Sequence, residues 1–323
     1  MFVKHKILIT GGSGFIGTNI SDKLVLEGHE ILNIDINEPQ KKELFKYWKN
    51  ININDLQKLR QSVINFEPDY IVHLAARTDL EGKNLDDYNA NITGVENLLK
   101  ITTELNNLRK IVITSSMLVC HGGYYPKDQL DYAPTTIYGE SKVKTENLVW
   151  DNKPGCDWAI IRPTSIWGPW FGAPYKNFFD MVIAKKYFHI GNKGCTKTYG
   201  FVGNAIYQIE NILFTETYNE QEKVFYIGDE PPINIEEWGN EIAIELGSKI
   251  KKVPYFIIKI AAFFGDILKL LKIRFPMNSF RLHNMTTDNI INLKNTYKVA
   301  PILPYSRKDG IKITLKWIFD TQL

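Results

Sequence analysis

The sequence predicts an α/β protein: a Rossmann-type, doubly wound parallel sheet over residues 1–168, followed by a smaller substrate-binding lobe over 169–323. Three observations predict it. Short apolar runs rich in β-branched residues alternate with segments of helical spacing through the first half. Gly11, Gly14 and Gly17 fall between the first run and the first helix. After Gly168 the rhythm breaks into shorter, aromatic-rich pieces. Strands that are apolar throughout, separated by helices, belong in a parallel sheet covered on both faces.

The elements follow in order. "KILITGG" is the first strand, and "FIGTNISDKLVLEG" a helix ending at Gly28. "HEILNIDI" and "DLQKLRQSVINF" form the next strand and helix, then "PDYIVHLAA" with "NITGVENLLKITTEL". "RKIVITSS" with "IYGESKVKTENLVWDN" follows, and "CDWAIIRPTSIWG" is one further strand. Beyond it, "KVFYIGDE" reads as a strand and "IEEWGNEIAIELG" as a helix, with some elements at about 199–229 expected to return to the sheet. Ligands of such sheets bind beyond the carboxyl ends of the strands, and the unusual residues of this half lie at those ends.

Composition narrows the function. A net charge of +3 is too small for a nucleic-acid surface. Cys120, Cys156 and Cys195 are far apart, which predicts no disulfide framework and no metal site, and fits a reducing cytoplasm. The N-terminus has no long apolar core of a signal peptide, so a cytosolic protein is expected. Residues 253–275 are apolar but interrupted by Lys259, Asp266, Lys269, Lys272 and Arg274, short of the ~20 residues of a spanning helix. Packing on the domain is favoured there over an interfacial helix.

The glycines permit a tight turn and bring backbone N–H groups and a helix N-terminus to a pyrophosphate. Asp35, 18 residues beyond Gly17, can accept hydrogen bonds from adenosine ribose hydroxyls and repels a 2′-phosphate, favouring NAD. Its structural alternative is an Asp capping the next turn. Lys41 and Lys42 leave NADP open. Tyr138 and Lys142 stand one helical turn apart, either as a solvated surface pair or as an acid–base centre in which the ammonium favours the phenolate.

These motifs together resemble the extended short-chain dehydrogenase/reductase superfamily, the NAD-dependent epimerase/dehydratase family in particular. "TGGSGFIG", with Gly11, Gly14, Phe15, Ile16 and Gly17, is similar to its cofactor turn. Asn52 and Ile53 stand where the family usually has Asp and an aliphatic residue beside the adenine. Leu74, Ala75 and Ala76 resemble the strand end under the cofactor, Asn91 the bracing asparagine, and Pro163 the segment beneath the nicotinamide. The resemblance implies Ser116, Tyr138 and Lys142 as catalytic residues, with Tyr138 moving a hydroxyl proton and Lys142 also holding the nicotinamide ribose. It implies a homodimer built from two helices of the cofactor domain.

The same resemblance implies a nucleotide-activated sugar as substrate and 4-epimerisation through a keto intermediate. The alternatives are a reductase of a 4-keto nucleotide sugar and a 3β-hydroxysteroid-type dehydrogenase, which "FVGN" also resembles; a non-catalytic cofactor binder is disfavoured by the intact Ser116, Tyr138 and Lys142. Met117 and Leu118 replace the acids that dehydratase chemistry would need after Ser116. Ser165 and Thr198 depart from the Asn and Arg frequent in nucleotide-sugar members. Asn177, Phe178, Lys197 and Arg281 are the expected substrate contacts, with Arg274 a further cation; Tyr175 would suit stacking, and Phe179 suits the lobe's core. Trp167 and Trp170 border the cleft by position, His121 could assist proton transfer, and His73 reads as structural.

Overall fold

The computed structural model describes residues 3–216, 222–270, 273 and 275–321. The first half is built of β1 (Lys6–Thr10), α1 (Phe15–Leu26), β2 (Glu30–Asp35), β3 (Trp48–Asn50), α2 (Leu56–Phe66), β4 (Tyr70–His73), α3 (Asn89–Thr102), β5 (Lys110–Thr114), α4 (Ile137–Asn152) and β6 (Asp157–Pro163). The second half holds β7 (Ser165–Trp167), α5 (Tyr175–Ile183), β8 (Phe188–Ile190), β9 (Thr196–Lys197), β10 (Tyr199–Phe201), α6 (Val202–Phe214), β11 (Val224–Ile227), β12 (Ile233–Asn234) and α7 (Ile235–Glu245). It closes with β13 (Lys251–Val253), α8 (Tyr255–Leu270), α9 (Ser279–Thr286), α10 (Lys294–Val299) and α11 (Arg307–Asp320).

Seven parallel strands form the central sheet in the order β11-β6-β5-β4-β1-β2-β3. The alternation of side chains along each strand explains why every strand is apolar. Ile7 and Ile9 join one buried cluster while Leu8 between them joins the other; Val112 is likewise separated from Ile111 and Ile113. Both faces are therefore covered. Chain order reverses between β1 and β4, and the region beyond their carboxyl ends is the usual ligand position of such sheets.

Two departures from the sequence reading matter for the site. The run "CDWAIIRPTSIWG" is two strands: β6 ends in the central sheet at Pro163, and β7 leaves it to pair with β10. Pro163 lacks the N–H a continuing ladder would need. The edge strand β3 was not expected; three residues, two of them exposed charged or amide side chains, carry no readable pattern.

Aromatic rings of the second half join the core on one face of the sheet. Trp167 is fully buried among Phe179, Phe201 and Trp238, with ring centroids 5.8, 5.2 and 5.2 Å away. It is core, not a cleft border. Trp170 packs on Trp317 at 5.6 Å.

Candidate active site

The glycine turn is made by close approach. Gly11 has φ +74°, and a Cβ there would lie 2.5 Å from the Ala75 nitrogen, so the segment after β4 crosses directly over the turn. A Cβ on Gly17 would meet the Gly11 carbonyl oxygen at 2.0 Å. Gly14 is the N-cap of α1, with no side-chain cap and no acid in the first turn. The helix thus keeps its N-terminal N–H groups and positive end for an anion.

Asp35 lies where β2 ends beside this turn. Its Oδ2 accepts from the Ser13 N–H at 3.0 Å and its Oδ1 from the Asn37 N–H at 2.9 Å. The capping alternative is therefore realised, and each oxygen keeps a second lone pair for a ribose hydroxyl. Lys41 is held by Asp22 at 2.6 Å, which removes one of the two lysines that left NADP open. Asn52 is exposed and turns its carbonyl to the Asn54 N–H, while Ile53 is buried under α3 at Gly94. Phe15, Ile16, Leu74, Ala75 and Ala76 are half-buried.

The helix carrying Tyr138 and Lys142 starts at Thr136, whose hydroxyl accepts from the Gly139 N–H at 3.0 Å. A Cβ at Gly139 would lie 2.3 Å from the Leu118 carbonyl oxygen. That glycine lets α4 press against the segment after β5 and sets Tyr138 beside Ser116. The sequence reading passed over it, although it follows Tyr138 directly. Ser116 is itself fixed by accepting from the Leu118 N–H at 3.1 Å. Asn91 locks the arrangement: its amide nitrogen donates to the Arg77 carbonyl and to Ser141 Oγ, and its oxygen accepts from the Arg77 N–H.

Tyr138 and Lys142 are both buried, so they are no solvated surface pair. Burial pushes the Tyr138 phenol up to about 12; a side-chain hydrogen bond to Ser116 pulls it down, and the Tyr175 and Tyr88 hydroxyls push it further up. The Lys142 ammonium donates to the Thr114 carbonyl at 2.9 Å. Burial lowers Lys142 to about 8, with the Glu146 carboxylate holding it up.

Glu146, one further turn along the same face, was not picked out by sequence. It forms a bidentate pair with Arg162, at 2.8 Å to Nε and 2.7 Å to Nη2, and both side chains are buried. Tyr226 accepts from Arg162 Nη1 at 3.0 Å and Tyr132 donates to Glu146 at 3.0 Å. The 3.6-residue spacing of Tyr138, Lys142 and Glu146 was the available signal. His73 accepts its structural part: Nδ1 lies 2.7 Å from the Thr10 hydroxyl, and burial, with the Lys142 charge, pushes the imidazole down to about 3.

The expected substrate contacts are scattered. Tyr175 is near Tyr138, its hydroxyl donating to Ser165 at 2.9 Å. Phe178 instead stacks on Trp238 at 4.6 Å, which places it in the lobe's aromatic core with Phe179. Asn177 is exposed on α5. Lys197 sits on β9, paired with Ile233 of β12. Arg281 is exposed on α9 with its guanidinium on the Pro276 carbonyl, and Arg274 lies outside the described residues. Thr198 is buried and accepts from the Ile291 N–H at 2.8 Å. It ties residues 289–291 to the start of β10, and residues 289–292 line a cleft of about 200 Å³ with Met117, Leu118 and His121 of the segment after Ser116. The His121 ring lies over Tyr124.

Residues 7–204 match the NAD dependent epimerase/dehydratase family. The chain belongs to this family. It is 26% identical to the N-acetyl-alpha-D-glucosaminyl-diphospho-ditrans,octacis-undecaprenol 4-epimerase of Escherichia coli O157:H7, over 98% of this chain and 96% of that protein. It is 25% identical to the 3-beta-hydroxysteroid dehydrogenase of Mycolicibacterium neoaurum, over 77% and 72% of the two chains. In fold it is similar to the UDP-glucose 4-epimerase of Thermotoga maritima, with TM-score 0.74 and 18% identity over 98% of this chain and all of that one. A Bordetella bronchiseptica enzyme solved with NAD and UDP gives TM-score 0.74 and 19% identity, over 98% and 95%.

Membership makes NAD the cofactor, and the residues present fit it. The open N-terminus of α1 and the glycines that leave no room for Cβ atoms suit a pyrophosphate, and Asp35 suits the adenosine ribose. Among the described residues no helix is long and apolar enough to cross a membrane.

Proposed function

We propose that the protein is an NAD-dependent 4-epimerase of a diphosphate-activated sugar, acting by hydride transfer at the ring carbon. What carries the reading is the buried Tyr138 phenol, hydrogen-bonded to Ser116, with Lys142 one turn on, at the sheet edge that holds the glycine turn. Ser116 positions the C4 oxygen, and Tyr138 takes the hydroxyl proton as C4 is oxidised to a ketone. After the ketone has turned its other face, Tyr138 gives the proton back. Lys142, fixed by Thr114, holds the nicotinamide ribose. When bound, NAD supplies the hydride acceptor and donor and a positive ring that lowers the phenol's pKa.

The printed activities of the relatives support a sugar carried on a diphosphate, either nucleotide-linked or polyprenyl-linked. Thr198 favours the second class. Nucleotide-sugar members often have an arginine near it, whereas here the position is buried and spent on Ile291. Assembly as a homodimer through two helices of the 1–168 half, and operation in the cytosol, belong to the same proposal.

The test is retention of cofactor. Denaturing the purified protein is expected to release about one NAD per chain, because an epimerase reuses its cofactor within one turnover. Incubation with UDP-, GDP- and dTDP-sugars and a polyprenyl-diphospho-sugar is expected to interconvert one 4-epimer pair with no added cofactor. Turnover that consumes added cofactor stoichiometrically would replace this reading with a reductase or a hydroxysteroid-type dehydrogenase.

A further inference from the structure

Helix α8 has its amphipathicity reversed. The face turned to the protein is made of Ile258, Ala262 and Gly265, which pack with Ile190, Leu282 and Met277 in a small core. The large apolar side chains point out. Phe256, Ile260, Phe263, Ile267 and Leu270 follow each other at spacings of three and four along one stripe, flanked by Ile257 and Phe264. Phe256 is 63%, Phe263 62% and Phe264 55% exposed. Phe280 of the adjoining α9 is 70% exposed and extends the patch. Packing on the domain, which the sequence favoured for this stretch, does not account for it: the domain already has its contact on the opposite side. A contiguous apolar stripe of this size marks an interaction site.

Charge decides what covers it. Residues 249–281 contain eight lysines and arginines against one acid, Asp266. The remainder of the chain holds 31 basic against 35 acidic residues, so the net positive charge of the protein resides wholly in this segment. Two copies meeting through this face would set the two cationic segments against each other. An anionic bilayer offers apolar depth for the phenylalanines and negative headgroups for the lysines at once. The 16 residues of α8 extend roughly 24 Å, less than the hydrocarbon thickness of ~30 Å. The helix can lie in the interface but cannot span it.

We infer that α8 and the start of α9 form a docking surface for an anionic lipid bilayer, seated in the headgroup region with the apolar stripe facing the acyl chains. The surface stands on α8 and its charge alone, whatever sugar carrier the active site accepts. It also has a consequence for access. The chain runs from α9 directly into residues 289–292, which line the cleft beside Met117 and Leu118. Docking through α8 therefore holds the wall of that cleft close to the membrane surface.

Sedimentation with vesicles tests it. The full-length protein is expected to pellet with vesicles of equal parts phosphatidylglycerol and phosphatidylcholine, and to stay in solution with pure phosphatidylcholine or in high salt. F263D/F264D is expected to lower the bound-to-free ratio at least tenfold while leaving NAD content unchanged. Should that variant not fold, Phe263→Trp gives a second reading: a blue-shifted difference emission on the anionic vesicles, quenched by brominated lipid. Wild-type protein that never pellets, a Phe263→Trp emission that is unmoved, or a dimer that F263D/F264D dissociates would each overturn the inference, the last by showing that a second copy covers the face.

Discussion

Tyr138→Phe is expected to lower kcat by roughly 10²–10⁴-fold while the protein still releases NAD on denaturation. The substitution removes one oxygen and keeps the ring, which packs 6.0 Å from Tyr88 in a buried setting, so the fold has little reason to change. The oxygen it removes is the one that Ser116 contacts and that burial holds protonated to about 12. Without it no group at that position can take the C4 hydroxyl proton. The glycine turn, Asp35 and Lys142 are left in place, so the cofactor stays. Rates are to be followed with the epimer pair that the substrate panel identifies. Wild-type kcat in Tyr138→Phe would remove the phenol from the reaction.

Arg162→Met is expected to destabilise the protein by about 3–5 kcal/mol, because it leaves the Glu146 carboxylate buried without its cation. In a chain of 323 residues each kcal/mol corresponds to a fall of about 1–2 °C in Tm. Replacing both members, R162M/E146M, is expected to recover most of the loss, since a buried pair replaced by apolar side chains is often close to neutral. Thermal or urea unfolding of the three proteins measures this. Equal losses in the single and double variants would show that the pair contributes by packing alone. The pair matters for chemistry as well as for stability. Glu146 holds up the pKa of Lys142, and the bidentate contact with Arg162 holds that carboxylate in place one turn below.

Much of the frame was legible because it depends on local pattern. Alternating apolar strands marked the sheet, and glycines after the first strand marked the turn. Tyr138 with Lys142 one turn away marked the helix face that meets the end of β5. The residues read less well are those whose partners are distant in sequence. Tyr175, Phe178 and Phe179 share a helix face by spacing, but only the fold decides that Tyr175 turns toward Tyr138 and Phe178 toward Trp238. Gly139 was overlooked because its need arises from the Leu118 carbonyl across the site. In α8 the period was visible but not its direction. A helix with Ala262 and Gly265 inside and phenylalanines outside has the same spacing as one packed the usual way round.

The central claim is that one carbon loses and regains the same hydride while Tyr138 handles only the proton. Substrate carrying deuterium at C4, turned over in ordinary water by the protein with its own NAD, tests this most directly. Deuterium is expected at C4 of both epimers at equilibrium, with none released to the solvent. Label washed out into water would mean that C4 gives up a proton instead, and would contradict the account.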